Sequence, residues 1–128
     1  MKLVVDTNVL VRIAAHDDSV QEHIAKRTLK NAELVAIPTI VFCEYTWVLR
    51  SVYKFSSSQI ATAIRALVAT KNVDCDHAAV EVGLAILDTG GDFADGVIAH
   101  QGKWLGGEVF VSFDKLAVDL LQKQGLAA

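Results

Sequence analysis

Short apolar runs alternate along this chain with longer stretches in which apolar residues recur at helical spacing. The runs at residues 3–5, 34–37 and 109–111 are rich in β-branched residues, which predicts buried strands. Residues 73–75 predict a further, brief strand, and Pro38 ends the second run. The run at residues 109–111 has the most convincing strand pattern of all.

Helical spacing fills the intervals between these runs. It predicts helices over residues 7–15, 19–31, 39–53, 92–102 and 114–124. Ser56 and Gln59 form a capping-box pattern that opens another helix, and Asp76 can cap one that Gly90 and Gly91 stop. Strands separated by helices imply crossover connections. We therefore expect an α/β fold, in three α/β/α layers with a mostly parallel central sheet of four or five short strands.

Composition adds that this is a folded protein of one domain. The chain has 128 residues, of which 52% are apolar, and this disfavours a disordered tail or a coiled coil. No stretch approaches the roughly 20 apolar residues that span a bilayer, and no signal-peptide pattern is visible. Cys43 and Cys75 lie far apart in apolar segments, which favours free thiols in a cytoplasmic protein.

Two aspartates follow predicted strands. Asp6 comes directly after residues 3–5, and Asp114 comes shortly after residues 109–111. Because ligands bind at the carboxyl ends of the strands in open parallel sheets, we expect both carboxylates at that edge. Each aspartate is also a preferred helix N-cap residue, and capping alone explains either one about equally well.

Glu44 is harder to explain as a surface residue. Its helical neighbours three and four positions away are Ile40, Val41, Trp47 and Val48. This spacing places Glu44 on an apolar stripe that we expect to face the protein. A buried carboxylate is costly unless it is paired or bound to a cation, so a functional role is favoured. An ion pair with Arg12 or Arg50 is the structural alternative.

Asp92 and Asp95 lie three residues apart in the first turn of a predicted helix, where the helix dipole alone favours acidic residues. Together with Asp6, Glu44 and Asp114 they form a set that a parallel fold can bring together. Two like charges about 4 Å apart repel by roughly 4 kcal/mol at an effective dielectric constant near 20. Such a cluster therefore calls for a cation.

The donor chemistry of this set indicates which cation. Carboxylate oxygens without nearby imidazole or thiolate groups suit Mg²⁺ or Mn²⁺ rather than zinc. These ions bind phosphate oxygens and activate a water for in-line attack. The expected reaction is hydrolysis of a phosphodiester or a phosphate.

Short motifs in these regions resemble, in order, those of the PIN-domain nucleases. VVDTNVL at residues 4–10 resembles the opening motif of the family, and the helix with Glu44 resembles its second acidic segment. DFADGVIAH at residues 92–100 resembles the third motif, and VSFD at residues 111–114 resembles the fourth. The resemblance runs over essentially the whole chain. In length and motif order the chain is most similar to VapC-type toxins of toxin–antitoxin pairs.

This resemblance implies a Mg²⁺- or Mn²⁺-dependent endoribonuclease in a single PIN-like domain over residues 1–128. The catalytic, metal-binding carboxylates that it implies are Asp6, Glu44, Asp95 and Asp114. Asp92 is a further candidate, acting through water. The residues expected to hydrogen-bond the carboxylates or a metal-bound water are Thr7, Asn8 and Ser112. The implied partners are RNA, a second copy of the chain, and an antitoxin. The C-terminal segment of the antitoxin would block the active-site groove, and the N-terminal part of the antitoxin would bind DNA.

The net charge of −3 means that RNA must be held by local basic patches or metal ions, because proteins that bind nucleic acid through bulk charge are usually basic. One helical stripe in the first half comprises His23, Lys26, Arg27 and Lys30. We expect Lys26, Arg27, Arg12 and Arg50 to contact RNA, although a solvated charged face is the commoner role of such stripes. Trp47, Tyr53 and Phe55 could stack on bases, but core packing is favoured for Trp47.

Other functions remain open at this point. A phosphatase with Asp6 as nucleophile would want a second aspartate where Asn8 stands. A receiver domain would want an acidic pair beside Asp6, which is absent, and a lysine after the last strand, where Lys115 stands. A non-catalytic binding module whose acids only cap helices would show no Mn²⁺ affinity that disappears in Asp6→Asn or Asp95→Asn.

Overall fold

A computed structural model describes all residues from 1 to 128. The chain divides into two compact units, Met1–Asp76 and His77–Ala128. The first unit contains the sheet and its helices, whereas the second is helical. No helix of either unit is both long enough and apolar enough to span a bilayer.

The sheet of the first unit consists of parallel strands only. They are β1 (Lys2–Val4), β2 (Leu34–Ala36) and β3 (Val73–Asp74), in the order β1-β2-β3. Leu3 pairs with Val35, and Val35 pairs in turn with Val73. Val35 is completely buried in the central strand. β1 therefore lies at one edge of the sheet.

The helices of the first unit begin and end close to where the apolar spacing predicts them. They are α1 (Thr7–Ala15), α2 (Ser19–Asn31), α3 (Thr39–Ser51) and α4 (Ser57–Val68). α1 packs against α2 and α3, and α3 packs against α4. Leu10, Leu49 and Ile60 are buried among them and form part of the core.

Side chains cap these helices as the sequence predicts. Ser56 Oγ accepts a hydrogen bond from the Gln59 amide at 3.1 Å, and the Gln59 side chain accepts one from the Ser56 amide at 2.8 Å. This reciprocal capping box satisfies two backbone donors that would otherwise lack partners. Asp6 caps α1, as its residue type predicts, and Asp18, which was not predicted as a cap, caps α2.

The second unit contains α5 (His77–Asp88), α6 (Phe93–Trp104) and α7 (Lys115–Lys123). α5 and α6 approach closely because glycines line their contact. A Cβ atom on Gly83 would lie 2.6 Å from the Phe93 ring, and one on Gly96 would lie 2.6 Å from the Val82 carbonyl oxygen. The start of α6 is thereby fixed against α5.

An apolar cluster of this unit joins α5 to α7. Ile86, Leu120 and Leu121 form its buried centre, and Phe110 and Leu126 pack against it. The Phe110 amide donates a 2.9 Å hydrogen bond to the Ala127 carbonyl. The segment before α7 is thus held to the end of the chain at one residue.

The fold class is α/β with a parallel sheet, as predicted, but the strand at residues 109–111 is not formed. The sheet accordingly has three strands rather than four or five. Phe110 has only the Ala127 carbonyl as a backbone partner, and Val111 is 88% exposed. A strand requires a hydrogen-bonded neighbour, and the local apolar pattern does not specify one.

Candidate active site

Three of the candidate carboxylates lie in the second unit, at the starts of two helices. Asp92 caps α6, with Oδ1 accepting from the Ala94 amide at 3.2 Å. Asp114 caps α7 in the same way, accepting from the Ala117 amide at 3.1 Å. Capping engages Oδ1 of each side chain and leaves Oδ2 available to a ligand.

Asp95 lies in the first turn of α6 and is the most perturbed acid of this unit. Burial raises the pKa of its carboxyl, and the negative charges of Asp92 and Asp114 raise it further. Its carboxylate has no hydrogen-bond or ion-pair partner. The structure therefore places Asp92 and Asp114 near enough to Asp95 for their charges to repel its carboxylate, and a cation bound there would relieve that repulsion.

Ser112 supports this acidic group through the backbone. Its Oγ accepts a 3.0 Å hydrogen bond from the Asp114 amide. A serine oxygen that accepts from the amide two residues later forms a local turn, which sets the direction in which α7 begins. Ser112 thus positions Asp114, and its oxygen touches no carboxylate.

Asp6 and Thr7 lie in the first unit, where β1 ends and α1 begins. Asp6 caps α1, and its Oδ1 accepts a 2.7 Å hydrogen bond from the Thr7 amide. The Thr7 side chain is buried, and its Oγ1 has no hydrogen-bond partner. A buried hydroxyl without a partner costs free energy, so a ligand that engages it would be favoured. Asn8 is exposed.

Glu44 is exposed, and the prediction that it is buried is wrong. The face of α3 that packs into the first unit carries Val41, Tyr45 and Leu49, which are all buried. Trp47, which is 65% exposed, lies on the solvent side, so the expectation that it packs in the core is wrong as well. Residues three and four positions from Glu44 flank it on both sides of the helix. Val41 lies on the packed side and Trp47 on the exposed side, so apolar spacing alone did not determine which way Glu44 faces.

The basic candidates are mostly engaged with other side chains. Lys26 pairs with Glu22 at 2.7 Å, and Arg12 pairs with Asp17 at 2.9 Å. Arg50 donates a 3.0 Å hydrogen bond to Ser57, so neither arginine serves as the ion-pair partner of Glu44. Arg27 is exposed and has no such partner. It is the candidate most available to a phosphate.

A large groove on the first unit was not predicted. It encloses about 790 Å³ and is lined by apolar residues of several helices and by lysines. Its residues include Leu10, Ile13, Leu29, Lys30, Leu67 and Lys71. Tyr45 also lines it, and burial raises the pKa of the Tyr45 phenol to about 12. The apolar spacing of α3 predicts that Tyr45 lies on the packed face of that helix. The same spacing does not predict a groove beside Tyr45.

The acidic residues fit a hard divalent cation by their chemistry. Their donors are carboxylate oxygens, which Mg²⁺ and Mn²⁺ prefer. In the second unit, burial raises the pKa of Asp95, and the charges of Asp92 and Asp114 raise it further. Within either unit taken by itself, no three carboxylate, imidazole or thiol side chains converge into a ready-made metal cage. Asp95 with Asp92 or Asp114 is the pair most suited to hold a cation.

A family comparison decides where this fold and these acids belong. The profile of the PIN domain matches residues 3–119, which is most of the chain. The chain belongs to the PIN domain family. Searches of curated proteins and of solved structures gave no match. The predicted membership of the PIN family is thereby confirmed.

Membership defines the general activity of this PIN domain. PIN domains are generally nucleases, that is, hydrolases that act on nucleic acids and typically use divalent metals. The matched region includes every candidate carboxylate: Asp6, Glu44, Asp92, Asp95 and Asp114. The phosphatase and receiver alternatives are therefore set aside.

Proposed function

We propose that this PIN domain is a metal-dependent endoribonuclease and the toxin of a toxin–antitoxin pair. The observation that carries the nuclease proposal is the acidic group of the second unit. Asp95 is forced partly out of water beside Asp92 and Asp114, and its pKa is raised. Asp95 also has no hydrogen-bond or ion-pair partner, and a bound cation would offset the cost of removing its carboxylate from water.

The proposed catalytic and metal-binding carboxylates are Asp6, Glu44, Asp95 and Asp114, with Asp92 as a further ligand through water. When bound, Mg²⁺ or Mn²⁺ would supply charge neutralisation at the phosphate and activation of water. Ser112 would hold Asp114 in position through the Asp114 amide. The unpartnered Thr7 hydroxyl would hydrogen-bond a carboxylate or a ligand water, with Asn8 beside it.

RNA would be held by the basic residues of the first unit. Arg27 on α2 is exposed and unpaired, so it can contact a phosphate without breaking an ion pair. Lys26 would have to leave Glu22, and Arg12 would have to leave Asp17, when RNA binds. Arg50 is the remaining candidate. Location in the cytoplasm, where RNA is made and used, belongs to the same proposal.

The toxin role requires an antitoxin that binds this chain. We also propose that the chain forms a homodimer. The groove of the first unit offers apolar side chains for a partner, with Lys30 and Lys71 among its lining residues. Exposed apolar grooves with charged residues beside them commonly receive an amphipathic helix of a partner protein. An acidic antitoxin segment fits that surface.

The nuclease proposal is tested on a pool of total RNA with the purified protein. The reaction is run with Mg²⁺, with Mn²⁺ and with a chelator, beside Asp95→Asn. The matched control is Asp119→Asn, which removes an exposed acid of α7 outside the acidic group. We expect metal-dependent cuts by the wild type and Asp119→Asn, and a loss of about 10²-fold or more in Asp95→Asn.

Absence of cuts in every lane, together with no Mn²⁺ binding in a titration, would contradict the proposal and favour a non-catalytic module. The toxin role has a separate test. Induced expression of the wild type should arrest growth of a bacterial host, and Asp95→Asn should not. Coexpression of the product of an adjacent short gene should restore growth of the cells that express the wild type.

A further inference from the structure

A second groove of the first unit, the α1–α2 groove, shares no lining residue with the groove that Tyr45 lines. It encloses about 650 Å³, a size typical of pockets for small ligands. Its apolar lining residues are Val9, Ile24 and Ala25. Ile24 is 57% exposed, so its side chain offers uncovered apolar area in the groove. A flat ligand with apolar faces would cover that area.

Two free amides line the α1–α2 groove beside this apolar area. Asn8 and Gln21 are both exposed, and neither side chain has a hydrogen-bond partner. The charged residues of the groove are already engaged, since Arg12 pairs with Asp17 and Asp18 caps α2. The faces of a nucleobase are apolar, and its edges carry neutral donors and acceptors. The chemistry of the groove therefore suits a nucleobase rather than a phosphate.

The α1–α2 groove lies next to residues that the proposed function assigns to RNA. Asn8 follows Asp6 by two residues, in the first turn of α1. On α2, Arg27 follows Ile24 by three residues, which makes the two side chains neighbours on that helix. Arg27 is the exposed, unpaired cation proposed to contact a phosphate. An RNA strand that extends from Asp6 to Arg27 would carry a nucleoside past the groove.

We propose that the α1–α2 groove is a nucleobase pocket, in which one unpaired base of single-stranded RNA packs on Ile24 and hydrogen-bonds to Asn8 and Gln21. This inference rests on the proposed ribonuclease function. Each side-chain amide presents donors and an acceptor side by side, an arrangement that pairs with the edge of a base. Apolar side chains support bases that leave the stack in other nucleic-acid sites. The pocket reads the base with uncharged groups, whereas Arg27 holds a phosphate by charge.

The pocket is tested by RNA binding in the presence of a chelator, so that no RNA is cut. Fluorescence anisotropy compares labelled single-stranded oligonucleotides of A, of C and of U with a stable abasic chain of the same length. The wild type should bind at least one of the three about tenfold more tightly than the abasic chain. Gln21→Ala should reduce that advantage about three- to tenfold, because a hydrogen bond to the base is lost. Gln101→Ala, at an exposed glutamine of α6, is the matched control and should bind like the wild type.

A second pair of variants tests the packing of the base. Ile24→Ala should also reduce the advantage over the abasic chain, whereas Val20→Ala should not, because Val20 is an exposed apolar residue of α2 outside the groove. Gln21→Ala removes no charge, so the slope of log affinity against log salt should stay at the wild-type value. A reduced slope, or an equal loss of affinity for the abasic chain, would show that Gln21 contacts the RNA backbone and would overturn the pocket. Wild-type affinity that is the same with and without bases would overturn it too.

Cut sites in total RNA connect the pocket to the proposed function. Sequencing of the cut ends should show a base preference near the scissile phosphate that relaxes in Gln21→Ala while metal-dependent cutting continues. Metal-dependent cuts with an unchanged preference in Gln21→Ala would overturn the pocket and leave the proposed function intact. If the wild type cuts no RNA, the proposed function fails, and the anisotropy result still decides whether the groove binds a base. Loss of antitoxin binding in Gln21→Ala, with RNA binding unchanged, would assign the groove to a protein segment and overturn the inference.

Discussion

The Tyr53 phenol donates a 2.7 Å hydrogen bond to Oδ2 of Asp17 and so ties the chain after α3 to the turn between α1 and α2. The Arg12 guanidinium donates a 2.9 Å hydrogen bond to Oδ1 of Asp17 and a 3.2 Å hydrogen bond to the Tyr53 hydroxyl oxygen. The hydrogen bond from Tyr53 holds the pKa of Asp17 below its usual value, and the Arg12 charge lowers it further. The three side chains therefore act as one unit.

Tyr53→Phe is expected to lower the thermal unfolding midpoint slightly at pH 7. A depressed carboxyl pKa contributes stability above the pKa of the unfolded state, and that contribution disappears as the pH falls through the folded pKa. The difference between variant and wild type should therefore shrink below pH about 4. Melting curves from pH 3 to 8 measure it. In the double variant with Asp17→Asn, the losses of stability from the two single substitutions should not add. Full additivity would show that the hydrogen bond between Tyr53 and Asp17 is not formed.

Gly96 and Gly102 on α6 form a natural pair for testing the contact of α5 with α6. A Cβ atom on Gly96 would meet the Val82 carbonyl at 2.6 Å, whereas one on Gly102 would meet nothing within 4 Å. Gly96→Ala should destabilise the protein by about 1–3 kcal/mol, since backbone must shift. Gly102→Ala should stabilise it by up to about 1 kcal/mol, because alanine loses less conformational entropy in a helix. Urea denaturation measures both, and equal effects would contradict the close approach.

Tyr45 should limit stability in alkaline solution. Burial raises the pKa of its phenol to about 12. An acid with a raised folded pKa ionises first in the unfolded state, so stability falls as the pH rises from about 10 to about 12. Tyr45→Phe should remove this loss, which reaches roughly 2–3 kcal/mol. At pH 7 the same change should be nearly neutral, since the hydroxyl has no hydrogen-bond partner. Urea titrations at pH 7 and near pH 11 compare the two proteins.

Asp95 should cost stability in the absence of metal. Its raised pKa means that the folded state disfavours the charged form, so stability should rise as the pH falls through the folded pKa. At pH 7 the free energy of unfolding of Asp95→Asn should equal that of the wild type or exceed it by up to about 0.5 kcal/mol. The variant should not show the increase in stability that the wild type shows as the pH falls. Mn²⁺ at 100 times its dissociation constant should stabilise the wild type by about 2.7 kcal/mol and the variant less. A wild-type melting midpoint that Mn²⁺ leaves unchanged would contradict a cation site.

Arg27 should contribute to RNA affinity through charge. Arg27→Glu should weaken binding of an RNA that is not cleaved, and it should reduce the slope of log affinity against log salt by about 1. Lys26→Glu should have a smaller effect, because Lys26 already pairs with Glu22. Lys123→Glu, at the end of α7, serves as the control for net charge. An equal loss in all three variants would show that total charge, and not the α2 surface, determines binding.

Local sequence determined much of this protein. The helix starts at Thr7 and Ser57 follow from Asp6 and from the Ser56 capping box, because caps act within three residues. Four short motifs in the right order, from the one around Asp6 to the one that ends at Asp114, were sufficient together to indicate the PIN family. They also indicated the carboxylate donors, because donor chemistry is a property of residue type alone.

Tertiary structure decided what depends on distant partners. The pattern of residues 109–111 is that of a strand, yet a strand exists only where a neighbouring strand supplies a ladder of hydrogen bonds. The segment has only the single backbone hydrogen bond from Phe110 to Ala127 and belongs to no sheet. The exposure of Glu44 depended on which side of α3 packs inward, a choice made by Val41, Tyr45 and Leu49 together. The raised pKa of Asp95 comes first from burial, which only packing creates, and then from the charges of Asp92 and Asp114. The contribution of Asp114, on a different helix, could not be predicted from sequence distance, because Coulomb repulsion acts through space and not along the chain.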